Sequence, residues 1–250
     1  MTVNIVHFVS VVHESTEAPS PRAIRRERAA ERILDTAEAI LGAEGTAALT
    51  MQRLAKELGF TVGATYRYFE SKEAIVAALQ RRVFLGLSDD LAALLDASVC
   101  DPLVRLAVVA RIYATLARRR PLHAHLLSRL MGEPENVLDA SHALPNMHLA
   151  IGIGAAGVRE ISAARQAGAL APGDDAQRGL VLWASLVGIE QTRKLERWQV
   201  PGLRADALAD QLVRTLLIGW GASPEATDDA MARAKVLVPS DGEKLKEKKR

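Results

Sequence analysis

The stretch TMQRLAKELGFTVGATYRYF, from Thr50 to Phe69, predicts two short helices joined by a tight turn. The first helix has one apolar stripe because its apolar residues recur at helical spacing; they are Met51, Leu54, Ala55 and Leu58. Thr50 immediately precedes the first helix, so its hydroxyl can cap that helix by accepting a hydrogen bond from an N–H group of the first turn. Gly59 stands where a left-handed residue ends a helix without a Cβ clash.

The second helix is predicted to begin after Thr61, which can cap it, and to run to about Phe69. Thr65 and Phe69, four residues apart, face the first helix, whereas Val62 and Tyr66 lie on a neighbouring face that can point outward. Two helices with a short glycine-containing turn make a helix-turn-helix, whose second helix enters the major groove of DNA.

Three segments in fixed order resemble the DNA-binding domain of TetR-type transcriptional regulators: Arg32–Ala37, the stretch from Thr50, and Tyr66–Glu73. The resemblance covers about residues 26–82. It implies a DNA-binding head followed by a helical body that binds a ligand and forms a dimer. We therefore expect domains at residues 21–80 and 81–238, flanked by an arm (1–20) and a charged tail (239–250).

The residues expected to contact DNA differ in what they can do. Val62 and Ala64 can offer apolar contact to a thymine methyl group, and Gly63 allows a close approach of the backbone. Arg67 can reach a guanine or a phosphate. Hydroxyl groups suited to phosphate oxygens are carried by Thr50, Thr61, Tyr66 and Tyr68. Lys72 resembles the family's phosphate-binding lysine at the start of the fourth helix.

The composition favours an all-α protein, since strong helix formers dominate and only 4% of the residues are aromatic. The net charge of +2 means that affinity for nucleic acid must come from local basic regions. One such region is Pro21–Arg32, with five arginines against two glutamates. Next to a helix-turn-helix it is interpreted as a phosphate-contacting lead-in, although a solvated face remains the alternative.

Localisation is expected to be cytoplasmic. Cys100 is alone, which excludes an internal disulfide and fits a reducing compartment. No apolar run is long enough to cross a bilayer. The apolar patch Val3–Val12 lacks a basic lead and is interpreted as part of a flexible arm or as the result of a start codon assigned too early.

The remaining helices are expected from periodicity and from proline and glycine positions. A long helix should run from Lys72 to about Ala97, and the others are expected at about 102–120, 121–131, 135–169 with a break near Pro145, 175–199, 203–221 and 224–237. The tail from Ser240, rich in Lys and Glu, is expected to be disordered.

The segment Gly152–Gly157 matches G-x-G-x-x-G and is followed by Asp174. An NAD(P)-binding enzyme that uses this segment is therefore an alternative function, but the motif needs a βαβ unit, and no second parallel strand is expected nearby. The other interpretation is a helix with small residues at a tight packing seam.

No catalytic group, cofactor or metal site is predicted. His123 and His125 are two residues apart, and His142 and His148 are separated by Pro145, so neither pair has the four-residue spacing typical of ligands on one helix.

Two C-terminal helices predict a self-association surface. Small side chains one turn apart let a second helix approach closely, and the family resemblance implies that these helices pair with their copies in a four-helix interface; intrachain packing alone is the alternative. The candidate interface residues are Ala184, Gly188, Thr192, Leu208, Leu212 and Leu216.

The predicted function is that of a homodimeric, sequence-specific DNA-binding regulator, most simply a repressor that a small hydrophobic molecule releases from an inverted-repeat operator. The ligand cavity is expected between about Leu103 and Leu182, with Tyr113, His123, Leu127, Met131, Met147, His148 and Trp183 as candidate lining residues. A further alternative, suggested by Val62 and Ala64, is an interaction module that does not recognise a DNA sequence.

Overall fold

The computed structural model describes residues 20–96, 101–132, 140–199, 202 and 204–239, which form helices and no strand. The arm at residues 1–19, Cys100 and the tail from Ser240 lie outside the described residues. In chain order the helices are α1 (Pro21–Glu44), α2 (Met51–Leu58), α3 (Val62–Tyr66), α4 (Lys72–Asp96), α5 (Pro102–Arg119), α6 (Pro121–Gly132), α7 (Ala140–Gln166), α8 (Asp175–Thr192), α9 (Ala205–Gly219) and α10 (Pro224–Leu237).

Helices α1 to α3 and the start of α4 form the head. Ser20 caps α1 by accepting a hydrogen bond from the Ala23 N–H, and a short 3₁₀ turn, Thr46–Ala48, leads from α1 to α2. Leu54 and Ile75 are fully buried between these helices and the start of α4, as are Ile33 and Leu49. These residues are one end of a continuous apolar core that extends from the head into the body.

Helix α5 lies at the centre of the body and packs against α4, α6, α7, α8, α9 and α10. Asp101 caps it and Pro102 occupies its first turn, where a missing N–H costs nothing. Its buried positions surround most of the helix rather than one stripe, as a helix with neighbours on all sides requires.

Two predicted boundaries were wrong. Helix α7 continues through Pro145 rather than breaking there. Pro145 is the sixth residue of α7, so the helix forgoes the one N–H bond that this position would make and continues past it. Helix α3 ends at Tyr66 rather than at Phe69, because Arg67 to Phe69 form turns back onto Ala64 and Thr65.

The glycine-rich segment Gly152–Gly157 lies inside α7, without a strand before it or a helix N-terminus after it. The structural context required by a dinucleotide site is therefore missing, and the NAD(P)-enzyme alternative is wrong. Gly157 instead lies against α5, where an added Cβ would sit 3.7 Å from a Val109 methyl group. That is an ordinary contact distance, and nothing lies within 4 Å of a Cβ added at Gly152 or Gly154, so helix packing does not require glycine in this segment.

A buried amide pair joins α4 to α6 and α7. Gln80 is 1% exposed and donates to the Leu126 carbonyl over 2.9 Å. Asn146 is 2% exposed and donates to the Ala77 carbonyl over 2.9 Å and to the Gln80 side-chain oxygen over 3.2 Å. These hydrogen bonds favour one relative orientation of the three helices, whereas apolar contacts alone have no preferred direction.

We expect Asn146→Leu to lower the free energy of unfolding by about 2 kcal/mol, because it leaves the Gln80 oxygen buried without this donor. The double variant Gln80→Leu with Asn146→Leu should recover much of that loss, since both carbonyls also belong to helices. Urea denaturation followed by circular dichroism measures both. Strictly additive losses in the double variant would contradict the role of the pair.

Candidate nucleic-acid interface and ligand cavity

The turn between α2 and α3 is built by two caps and one glycine. Thr50 accepts from the Arg53 N–H at 3.1 Å, and Thr61 accepts from the Ala64 N–H at 3.1 Å. Gly59 ends α2 at φ 65°, a conformation that side chains disfavour. The predicted caps and the left-handed glycine are thus confirmed, and they set the angle at which α3 leaves α2.

The outer face of α3 is open. Val62 is 37% exposed and Tyr66 is 49% exposed, and Gly63 and Arg67 are exposed beside them. Thr65, on the opposite face, is fully buried. A short helix with one face anchored in the core and the other in solvent has the geometry that a recognition helix needs.

Two predicted DNA-contacting side chains have partners within the head. Tyr68 is half-buried, and its ring stacks on Phe60 with ring centres 6.5 Å apart. Lys72 donates from Nζ to the Thr46 carbonyl over 2.8 Å. The ammonium group has two further protons, so this bond orients Lys72 without using all of its donors.

Arg53, which the sequence interpretation did not select, lies on α2 and is paired with Glu44 and Glu57, each 3.0 Å away. The Glu57 pair was readable from the four-residue spacing. Glu44 ends the preceding helix, and only the fold brings it near Arg53.

The junction between head and body is a cluster of charges on α1, α4 and α6. Arg82 pairs with Glu31, with Asp35 at 2.7 Å and with Glu38 at 3.3 Å. His123 Nε2 lies 3.1 Å from a Glu38 oxygen. His123 therefore belongs to this junction and does not line the cavity described next.

The body contains a cavity of about 570 Å³ between α4, α5, α6, α7 and α8. Of the predicted lining residues it contains Tyr113, Leu127, Met147 and Trp183. His148 is exposed on α7 outside it, and the side chain of Met131 lies outside the described residues. Apolar side chains from α4, which the sequence interpretation assigned only to the core, complete the wall: Phe84, Leu87 and Leu91.

Polar side chains are rare in the cavity lining, where the described ones are Tyr113, Trp183 and Glu190. Burial and the negative charge of Glu190 raise the pKa of Tyr113 to about 12, so its hydroxyl keeps its proton at neutral pH. Glu190 was not predicted, yet it is the only acidic residue between Asp175 and Glu196, and it directly follows the largely apolar run Leu180–Ile189. That isolation was the signal in the sequence.

The mouth of the cavity lies between α7 and α8, at Ile151 and Leu180, which are 56% and 63% exposed. Leu180 shares a face of α8 with Ala184 and Gly188, both exposed, at successive four-residue steps. Thr192, Leu208, Leu212 and Leu216 are half-buried. Every predicted interface residue is therefore at least partly accessible in a single chain.

The fold and the open recognition helix define a helix-turn-helix protein, and comparisons with known proteins agree. Residues 33–79 match the model of the bacterial regulatory proteins of the TetR family. An uncharacterised HTH-type transcriptional regulator of Mycobacterium tuberculosis is 34% identical over 99 residues, or 40% of this chain and 48% of the relative. The regulator BetI of Rhizobium meliloti is 31% identical over 80 residues, or 32% of this chain and 39% of BetI. The chain thus covers less than half the length of these relatives.

Solved structures match over more of the chain. A TetR-family regulatory protein from Rhodococcus RHA1 aligns with a TM-score of 0.58 at 21% identity, over 78% of this chain and 98% of its own. RolR, solved in complex with the ligand resorcinol, aligns with a TM-score of 0.58 at 18% identity, over 85% and 96%. These likenesses concern the fold.

Residues 33–79 thus form a DNA-binding domain of the TetR type, and the chain shares its fold with TetR-family structures. The prediction of an all-α fold with an N-terminal helix-turn-helix domain is confirmed. In the part of the chain that the structure describes, no helix combines the length and the apolar character needed to cross a membrane.

We expect Thr61→Ala to lower the free energy of unfolding by about 1 kcal/mol, because the first turn of α3 loses its cap. Thr61→Ser should retain most of that stability, since its hydroxyl can accept the same hydrogen bond from Ala64. Thermal unfolding of the three proteins measures the difference. Equal losses in the Ser and Ala variants would show that the cap is unimportant.

Proposed function

We propose that the protein is a homodimeric repressor that binds an inverted-repeat DNA operator through α2 and α3 and leaves it when a small, largely apolar molecule enters the body cavity. The observation that carries the proposal is the open outer face of α3, presented by a head whose opposite face is anchored by the buried Thr65.

Sequence reading is assigned to the residues along that face. Val62 supplies an apolar surface for a thymine methyl group, and Arg67 supplies a guanidinium for a guanine edge or a phosphate. The hydroxyl of Tyr66 reaches a phosphate from a rigid ring, and Gly63 leaves room for the backbone to approach. Ala64, which is half-buried, adds little bulk between them.

Phosphate binding is assigned to side chains around the recognition helix. Four arginines at the start of α1 are exposed: Arg22, Arg25, Arg26 and Arg28. Arg32, by contrast, lies over the Phe60 ring, 5.6 Å from its centre, and is assigned a packing role. Phosphate contacts position a protein on DNA and make its affinity depend on salt, without reading sequence. Thr50, Thr61 and Lys72 complete this set.

A dimer is supported by the exposed apolar and small residues of α8. Leu180 and Val181 are 63% and 44% exposed, and the adjacent Ala184 and Gly188 leave space for a second helix. A recognition helix as short as α3 covers few base pairs. Two heads that address half-sites about 34–36 Å apart supply the missing specificity.

Release by a ligand is supported by the position of α4, which belongs both to the head and to the cavity wall. Helix α4 begins in the head, pairs with α1 through Arg82, and lines the cavity through Phe84. A molecule in the cavity weakens DNA binding only if it binds better when the heads are wrongly placed for the operator. The resorcinol complex of RolR, which has a similar fold, supports a ligand-binding role for the body.

We expect selection from random DNA to enrich an inverted repeat with the wild-type protein. Tyr66→Ala and Arg67→Ala should each weaken binding to the selected site by about tenfold or more, since a lost base or phosphate contact costs ~1–3 kcal/mol. Arg233→Ala, on α10 of the body, is the matched control and should bind as the wild type does. Fluorescence anisotropy across a salt series measures these affinities.

Binding that depends on salt but enriches no sequence would contradict a specific regulator. It would favour the alternative of an interaction module, for which the apolar Val62 is the motivating residue. Loss of binding in all variants, including Arg233→Ala, would locate the DNA contact outside the head.

We expect Ala184→Arg to convert a dimer into a monomer, because a charged side chain would be buried at the α8 face without a partner. Ala232→Arg, on the exposed face of α10, is the control and should leave the dimer intact. Sedimentation velocity reports the mass. A dimeric Ala184→Arg variant would show that α8 does not form the interface.

A further inference from the structure

The chemistry of the cavity wall restricts what the cavity can hold. Its described lining contains no lysine, arginine or histidine. A carboxylate, phosphate or sulfonate would lose its hydration there and meet no cation, which is unfavourable by several kcal/mol. The described lining therefore disfavours a negatively charged ligand.

The single charged group of the lining is already partly neutralised. Arg193, in the 3₁₀ segment Arg193–Trp198 after α8, holds both carboxylate oxygens of Glu190 at 2.8 and 3.0 Å. Arg193 also contacts Asp206 at 3.1 Å and donates to the Ala114 carbonyl at 3.4 Å. A positively charged ligand at Glu190 would approach this guanidinium, so cations are disfavoured as well.

The remaining capacity of Glu190 is that of an acceptor. A carboxylate offers about four lone-pair positions, and Arg193 uses two of them. Tyr113 lies on α5, close enough to Glu190 to be affected by its negative charge. Its hydroxyl stays protonated and can both donate and accept a hydrogen bond. These two groups form a small polar end in a cavity whose described lining is otherwise apolar apart from Trp183.

We propose that the cavity selects a neutral, largely apolar molecule that carries a hydroxyl or another neutral hydrogen-bond donor at one end, with Glu190 accepting that donor and Tyr113 orienting it. The class includes phenols and alcohols with an apolar body. This inference rests on the proposed ligand-binding role of the cavity and adds the chemistry that the cavity recognises.

The selectivity follows from the hydrogen bonds to Glu190 that a ligand without a donor fails to make. A ligand of the same shape without a donor would cover Glu190 and displace water from its free lone pairs without replacing the lost hydrogen bonds. Hydrogen bonds to charged groups are worth more than neutral ones, so the donor should improve affinity by about tenfold or more.

The test uses the full-length protein and four molecules that share one apolar body: para-hexylphenol, para-hexylanisole, para-hexylbenzoate and para-hexylbenzylamine. Their affinities are measured by displacement of the fluorescent apolar probe N-phenylnaphthylamine and checked by calorimetry. We expect the phenol to bind about tenfold more tightly than the anisole. The benzoate anion and the benzylammonium cation should bind more weakly than the phenol.

Three variants locate the effect. Tyr113→Phe and Glu190→Gln should each reduce the ratio of phenol to anisole affinity. Glu196→Gln is the matched control: Glu196 also lies near Arg193, at 3.7 Å, but does not line the cavity. It should retain the full ratio, and circular dichroism confirms that each variant is folded.

Equal affinities of the wild type for the phenol and the anisole would overturn the donor site while leaving the cavity as an apolar binding site. Tighter binding of the benzoate or the benzylammonium ion would overturn it by showing that the wall accepts charge. If neither the probe nor any of the four molecules binds, both the donor site and the ligand-binding role of the cavity fail, whereas the operator selection still tests DNA binding separately.

Discussion

The burial of a single continuous helix, α4, against both halves of the molecule is the constraint on which the rest of the structure depends. Its first turns carry Ile75 and Leu79 into the core shared with α1, and later turns carry Phe84, Leu87 and Leu91 into the cavity wall. The proposed release by a ligand would act through this helix, because α4 belongs both to the head and to the cavity wall.

Polar contacts hold α4 against its neighbours where the head meets the body. Gln80 and Asn146 connect α4 to α6 and α7 within the buried interior, and Arg82 connects it to three carboxylates of α1. Phe84 lies one turn beyond Gln80 and already lines the cavity. The amide pair, the charge cluster and the first residue of the cavity wall thus lie within about one turn of a single helix, at Gln80, Arg82 and Phe84.

Local sequence signals predicted the head almost completely. The caps Thr50 and Thr61 and the left-handed Gly59 lie where the spacing of polar, apolar and glycine residues placed them, because caps and helix ends are decided within a few residues. Prediction failed at the end of α3 and at Pro145. In both places the local pattern did not decide the outcome. The short α3 ends earlier than its apolar spacing predicted, and α7 continues past a proline close to its start.

The sequence alone established an all-helical chain with a helix-turn-helix near its N-terminus, since periodicity and capping act over distances of one or two turns. Only the tertiary structure decided which apolar residues line a cavity and which fill a core, as with Phe84 and Leu127, because both sets obey the same helical spacing. It also decided that His123 pairs with Glu38 at the junction, and that Glu190 and Tyr113 share the polar end of the cavity. Such contacts join residues far apart in the chain, and no local pattern encodes them.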